Sequence, residues 1–159
     1  MNDSLDSLES LLREHEELQF PAFTHNTAFE IGTAIKKEAE IRRLPVAIDV
    51  TRQGHQLFHC ALEGTSADND RWILRKNNVT NHFGKSSFYI KNLLLENGQT
   101  LEEPFCLPHR DFAPYGGSFP IIIKGTGPIG TITVSGLPDE EDHKLVTEAI
   151  RTYLKGLHS

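Results

Sequence analysis

From Arg71 to Lys91 the chain carries five cations, Arg71, Arg75, Lys76, Lys85 and Lys91, and not one Asp or Glu. The formal net charge is −6, so the rest of the chain carries about −11. The chemistry open to such a stretch is anion reception. Arg75, Lys76, His82 and Lys85 supply charge, while Ser86 and Ser87 stand where a helix would begin. Backbone N–H groups at a helix start suit a carboxylate, a propionate or a phosphate, and Gly84 lets the main chain approach closely. Two plainer uses compete. Arg71 and Arg75, one helical turn apart, could face an acidic N-terminal helix in exposed ion pairs worth about 0–1 kcal/mol each. The string "HFGKSSFYIK" also has the aromatic and cationic composition of a subunit interface.

The histidines come next. His55 and His59 are spaced as in a helical zinc pair, yet they fall on an expected strand, where four residues span about 13 Å. Both cannot reach one zinc at about 2 Å, so no metal site is expected. His109 lies in a long loop beside Arg110 and Asp111. His143 follows four acids at a helix start, where carboxylates favour imidazolium. Asp142 and His143 are then either an acid–base or orienting pair, or first-turn residues complementing the helix dipole. No catalytic residue is assigned. There is no G-x-S-x-G, "TVSG" around Ser135 is a loose echo of a nucleophile elbow, and "GTGPIG" joins two strands instead of opening a helix. Whether the chain is an enzyme stays open. Cys60 and Cys106 form no CxxC pair; Cys60 reads as a small core residue, and a disulfide is disfavoured in a reducing compartment.

These residues need elements to position them. Leu5, Leu8, Leu11, Leu12, His15 and Leu18 recur at helical spacing, which predicts an amphipathic helix over 3–18 with Asp6, Glu9, Glu14, Glu16 and Glu17 on its wet face. A second helix is expected from Asn26 or Thr27, closing before Pro45. "LPVAIDVTRQGHQLFHCAL" reads as a hairpin turning at Gly54. A helix over 69–78, a break at Gly84 and a helix capped by Ser86 or Ser87 through Leu95 follow. Residues 99–118 read as a long loop of the kind that serves a site or an interface. A second hairpin turns at Gly125–Pro128, with Thr131, Thr133 and Ser135 alternating against Ile132 and Val134, so one sheet face should be polar. Pro138 and the acids behind it start a last helix. The fold class is α+β: one antiparallel sheet built from two hairpins, with helices on its faces.

At 159 residues, 38% hydrophobic and 24% charged, the chain is expected to be one domain over 1–159. No apolar run approaches the ~20 residues of a membrane span. The acidic start is neither a secretory signal nor a transit peptide, so cytoplasm is the expected compartment. A pI of about 5.7 speaks against nucleic acid.

Several strings together resemble the haem-degrading-domain family of the GlcG/HbpS type, in its uncharacterised-protein-family (UPF) branch. They are "VAIDVTRQGHQL" with Asp49 and Gly54, "GTSADN" with Gly64, the helix carrying Lys76, "GGSFPI" with Gly116, Gly117 and Pro120, and "GTITVSG" before Asp142. "FGKSS" and "GLPDEEDH" are similar to the UPF branch in particular, and the likeness spans roughly 44–158. It implies a profilin-like or PAS-like α/β/α domain, assembly into homo-oligomers, and haem or another small ligand in some relatives. The resulting expectation is a cytoplasmic, homo-oligomeric binding or accessory module for a small anionic ligand, with haem as the cofactor the resemblance implies. The ligand is expected between the 82–87 turn and the 109–120 loop, at Arg75, Lys76, His82, Lys85, Ser86, Ser87, Gly116, Gly117, Asp142 and His143. A protein–protein adaptor, and an enzyme acting on haem or another small molecule, are the alternatives.

Overall fold

Alternation along the strands decides the layers. In β4 (Gly127–Ser135) Ile132 and Val134 point to one side of the sheet, while Thr131, Thr133 and Ser135 point to the other. β1 (Ala47–Arg52) repeats the pattern with Ile48 and Val50 against Asp49 and Thr51, and β3 (Ser118–Ile123) with Phe119 and Ile121 against Ser118 and Pro120. β2 (His55–Ala61) completes a four-stranded antiparallel sheet in the order β2-β1-β4-β3. The two hairpins join where Asp49 pairs with Thr133 across β1 and β4. The computed structural model describes residues 3–158, with side chains from Leu8 onward. The expected roles of Leu5 and Asp6 therefore lie outside the described side chains.

The apolar face is closed by α2 (His25–Ile41) and α5 (Asp139–Gly156), which bring Ile31, Ile35, Val146 and Ile150 onto Ile48, Val50, Phe119, Ile132 and Val134. The polar face is covered by α3 (Ala67–Phe83). α1 (Asp3–Glu17) packs on α4 (Ser87–Asn97). An α+β sandwich with helices on both faces of one antiparallel sheet is thus present, as the residue pattern implies. Among the described residues no helix is long and apolar enough to cross a membrane.

Helix boundaries differ from the sequence expectation at the start of α2, at both ends of α3 and at the end of α4, which runs to Asn97 instead of Leu95. α2 starts earlier because Thr24 is the cap: its hydroxyl accepts from the Thr27 N–H, and the Thr27 hydroxyl accepts from the Thr24 N–H, each at 3.1 Å. α3 runs from 67 to 83 instead of 69–78. Ser66 caps it, Gly84 closes it at φ 68°, and the polar residues in its second half face a polar sheet.

On the opposite side, α2 approaches β2 closely at Gly32, where a Cβ would stand 2.3 Å from the Phe58 ring. Gly32→Ala improves helix propensity by less than about 1 kcal/mol but forces the ring aside, so a net loss of about 1–2 kcal/mol is expected in urea denaturation.

Candidate functional site

Between α3 and the sheet lies a buried polar layer. Asp49 accepts from Thr51 Oγ1 at 2.8 Å, Gln56 Nε2 at 2.7 Å and Asn77 Nδ2 at 3.3 Å. Asn77 Oδ1 accepts from Ser118 Oγ at 3.2 Å and also from the Thr133 hydroxyl. Ser87 belongs to this layer: its hydroxyl accepts from the Ser118 N–H at 3.0 Å. These groups satisfy one another, which is what burial of polar atoms requires.

One residue before Asn77, and about 100° round the helix, Lys76 leaves the layer and reaches a cleft. Its Nζ donates to Val134 O and to Asp142 Oδ2, both at 3.1 Å, and both side chains are almost wholly buried. The Leu137 N–H donates to the other Asp142 oxygen at 3.0 Å. Burial pushes the Lys76 ammonium below the ordinary lysine range against the pull of Asp142. Burial likewise pushes Asp142 up to about 6 against the opposing Lys76 charge. Gly117, at φ 138°, lies directly over the amine, and Gly116 donates its N–H to Asp139 Oδ2 at 3.0 Å. Burial would raise Asp139, but the Lys91 ammonium at 2.8 Å and the Gly116 N–H outweigh it and hold its carboxyl below the usual range. The cleft, of about 380 Å³, is walled by Trp72 and Tyr115 on one side and by Gly136, Leu137 and Asp139 on the other.

A second cleft, of about 390 Å³, opens on the far side of the Trp72–Tyr115 pair, whose rings meet edge to face at 5.8 Å. Leu94, Leu101, Phe112 and Pro114 make its lining largely apolar. Arg75 stands in its wall, with Nη2 donating to the His109 carbonyl at 2.6 Å and Cζ 4.6 Å from the centre of the Trp72 ring. Among the described residues Arg75 meets no carboxylate. The His109 imidazole lies at the mouth, 3.3 Å from Glu102.

Residues 23–151 match the family described as haem-degrading protein HbpS-like. The chain belongs to the HbpS-like family. Among HbpS-like relatives, a UPF0303 protein of Serratia proteamaculans is 44% identical over 149 residues, covering 94% of this chain and 92% of that protein. The crystal structure of the Ybr137w protein superposes at a TM-score of 0.88 with 32% identity, over 99% of this chain and 95% of that one. A PduOC–haem complex shares the fold at a TM-score of 0.68 and 15% identity, over 81% of this chain and 93% of that one. The resemblance read from the sequence, UPF branch included, is the family the chain belongs to.

α1 lies outside the part matched to the HbpS-like family, and it occupies the start of α4. His15 Nδ1–H donates to Leu12 O at 3.2 Å, which leaves Nε2 free to accept the Ser86 N–H at 2.8 Å. Burial is the main reason the His15 pKa falls to about 4, with the Lys85 charge adding to it and the Leu12 bond opposing. Glu14 accepts from His143 Nε2 at 2.8 Å, and His143 Nδ1 has no hydrogen-bond partner among the described residues.

The expected site residues therefore fall into separate groups. Lys76 and Asp142 line the first cleft, Gly117 and Gly116 lie against its Lys76 and Asp139, and Arg75 walls the second. Ser86 and Ser87 are buried, with the Ser86 amide given to His15 and not to solvent. His143 is buried under α1 against Phe88, its ring centre 4.9 Å away. His82 is exposed beside Phe83 and Phe112, and Lys85 is half-buried with no ion pair among the described residues. His55 and His59 sit on β2 and turn to different neighbours, His25 and Asp70. Among the described residues no group of three or more His, Cys, Asp or Glu is placed to hold a metal ion. Cys60 and Cys106 are both free thiols. Trp72, Lys91, Asp139 and Tyr115 line the clefts but are not among the expected ligand residues, Lys91 standing only in the acid-free run and Asp139 only among the acids that start the last helix. The one signal for the aromatic pair was composition: the chain's single Trp lies in the acid-free stretch, and Tyr115 precedes the glycine pair.

Proposed function

We propose that the chain is a small-ligand binding or accessory module of the HbpS-like family, acting in the cytoplasm as one domain over residues 1–159 that assembles into homo-oligomers. Its ligand is a planar or alicyclic anion held in the cleft beside Trp72, with a carboxylate on Arg75. The observation that carries this is the Arg75 guanidinium itself. It is oriented by a carbonyl and an indole, lacks a protein carboxylate among the described residues, and faces an apolar hollow.

A tetrapyrrole is the ligand class that the family description suggests, and the lining fits one. Trp72, Leu94, Leu101 and Phe112 would face the ring, Arg75 would take a propionate, and His109 is the imidazole on this cleft suited to iron. Exposed Leu74 and Leu95 flank the α3 and α4 sides, apolar surface of the kind that assembly covers.

Haemin titration of the full-length protein should give a saturable Soret shift that His109→Ala abolishes. Arg75→Ala should weaken binding about tenfold or more, the value of one hydrogen-bonded charge pair. No shift at micromolar haemin would remove the tetrapyrrole, and a shift indifferent to Arg75 would remove this cleft. Light scattering should return a multiple of the 17.9 kDa chain mass; the monomer mass would refute assembly.

A further inference from the structure

The first cleft has a different chemistry from the second. Its charged lining is Lys76, Asp139 and Asp142, one cation against two acids, so it does not favour a second anion. It does present a primary amine at its wall, beside two aromatic rings. We propose that Lys76 Nζ is a nucleophile that captures a small uncharged aldehyde or ketone as an imine in this cleft, with Asp142 as its proton partner. This goes beyond the anion reading and stands on a different reactive pair, Lys76 and Asp142, although Trp72 and Tyr115 wall both clefts.

Four observations converge on it. Lys76 is the amine placed in the cleft wall, anchored by Val134 O and Asp142 and not left to sweep through solvent as a surface lysine does. Asp142 is within hydrogen-bond reach of that amine, the geometry a proton relay needs. It is itself fixed from the other side by the Leu137 N–H. Gly117 leaves room at the nitrogen: a Cβ there would stand 2.7 Å from Nζ. Trp72 and Tyr115 offer flat apolar walls to an unsaturated or aryl substituent. The electrostatics point the same way, since burial moves lysine down and aspartate up, bringing the pair closer to amine and carboxylic acid.

The step balances without any oxidant or reductant. The ammonium passes a proton to the Asp142 carboxylate, and the freed lone pair attacks the carbonyl carbon, forming the C–N bond as the C=O π electrons move to oxygen. Asp142 returns the proton to that oxygen. Nitrogen, which still holds two protons, passes one through Asp142 to the hydroxyl, and its lone pair expels that group as water as the C–O bond breaks, leaving the protonated imine on Lys76. Hydrolysis runs the same path backwards and restores the amine.

The test uses full-length protein with benzaldehyde and sodium cyanoborohydride at pH 7, followed by digestion and mass-spectrometric mapping of benzyl adducts. The Lys76 adduct should appear ahead of those on the exposed Lys37, Lys124 and Lys144. It should vanish in Lys76→Arg, which keeps the charge, and form more slowly in Asp142→Asn. Adducts confined to exposed lysines, with Lys76 untouched in the native protein, would overturn the proposal, and that result needs no variant to fold. An undiminished rate in Asp142→Asn would overturn the proton-transfer role. Arg75→Ala should leave the Lys76 adduct in place, so failure here and failure of the anion cleft are told apart.

Discussion

His15→Gln should widen its stability difference from the wild type by about 3 kcal/mol in the variant's favour as the pH falls from 7 to 4. In the folded protein His15 is held neutral, its pKa pushed down by burial to about 4 from the ordinary 6.5. Stability from this depressed pKa is fully present above pH 6.5 and is lost as the pH falls toward 4, because the unfolded chain takes up the proton first. A gap of that size is worth about 3 kcal/mol. Glutamine can still accept the Ser86 N–H but does not titrate. Asp142 acts in the opposite sense. Its pKa is raised to about 6 from 3.8, so its contribution is present below pH 3.8 and lost as the pH rises through 6. In the wild type the two trends oppose each other between pH 4 and 6; in the variant the Asp142 trend stands without that opposition. Urea denaturation of both proteins at pH 7 and pH 4 measures the difference. A gap that does not change with pH would show that His15 is solvated in the native state.

Gly117→Ala should be the most damaging small substitution in the cleft, with a loss of about 3–5 kcal/mol. Two costs combine. At φ 138° a residue with a Cβ is strained by about 1–3 kcal/mol. The new methyl would also stand 2.4 Å from Val134 O and 2.7 Å from Lys76 Nζ, and overpacking of that kind costs about 1–3 kcal/mol more. Gly125→Ala separates the two, since Gly125 has φ 79° with nothing within 4 Å of its would-be Cβ. That variant should lose only about 1–2 kcal/mol. Equal shifts in denaturation midpoint for the two alanines would mean that Lys76 yields freely, and that the close approach holds nothing in place.

Much of the fold was legible because strand alternation is a strong signal. Thr131, Thr133 and Ser135 against Ile132 and Val134 announced a two-faced sheet, and Gly54 and Gly125 marked both hairpin turns. The end of α3 was not legible for the same physical reason that the sheet was. Its inner positions at Asn77 and Thr80 match a polar sheet face, so apolar periodicity fades just where the helix continues. The start of α2 was obscured because Thr24, Asn26 and Thr27 are all good caps, and only the reciprocal Thr24–Thr27 bonds choose among them. At the site, the residues nearest in sequence parted company. Arg75 and Lys76 point about 100° apart around a helix, and so wall different clefts. The Ser86 amide, read as an anion donor, is filled by His15 from a helix 71 residues away, which no local pattern could reveal. Trp72 and Tyr115 meet only because the long loop folds back onto α3.

The seam between β1 and β4 has a consequence for how the chain finds this structure. Each hairpin can zip locally around its own short turn, but the pairing of Thr51 with Thr131 must wait until the whole stretch between them has been brought round. Closing so long a loop carries an entropy penalty before any contact rewards it. Refolding speed should therefore be governed by that central junction, and the outer edges of the sheet should form their own pairs early and wait for each other.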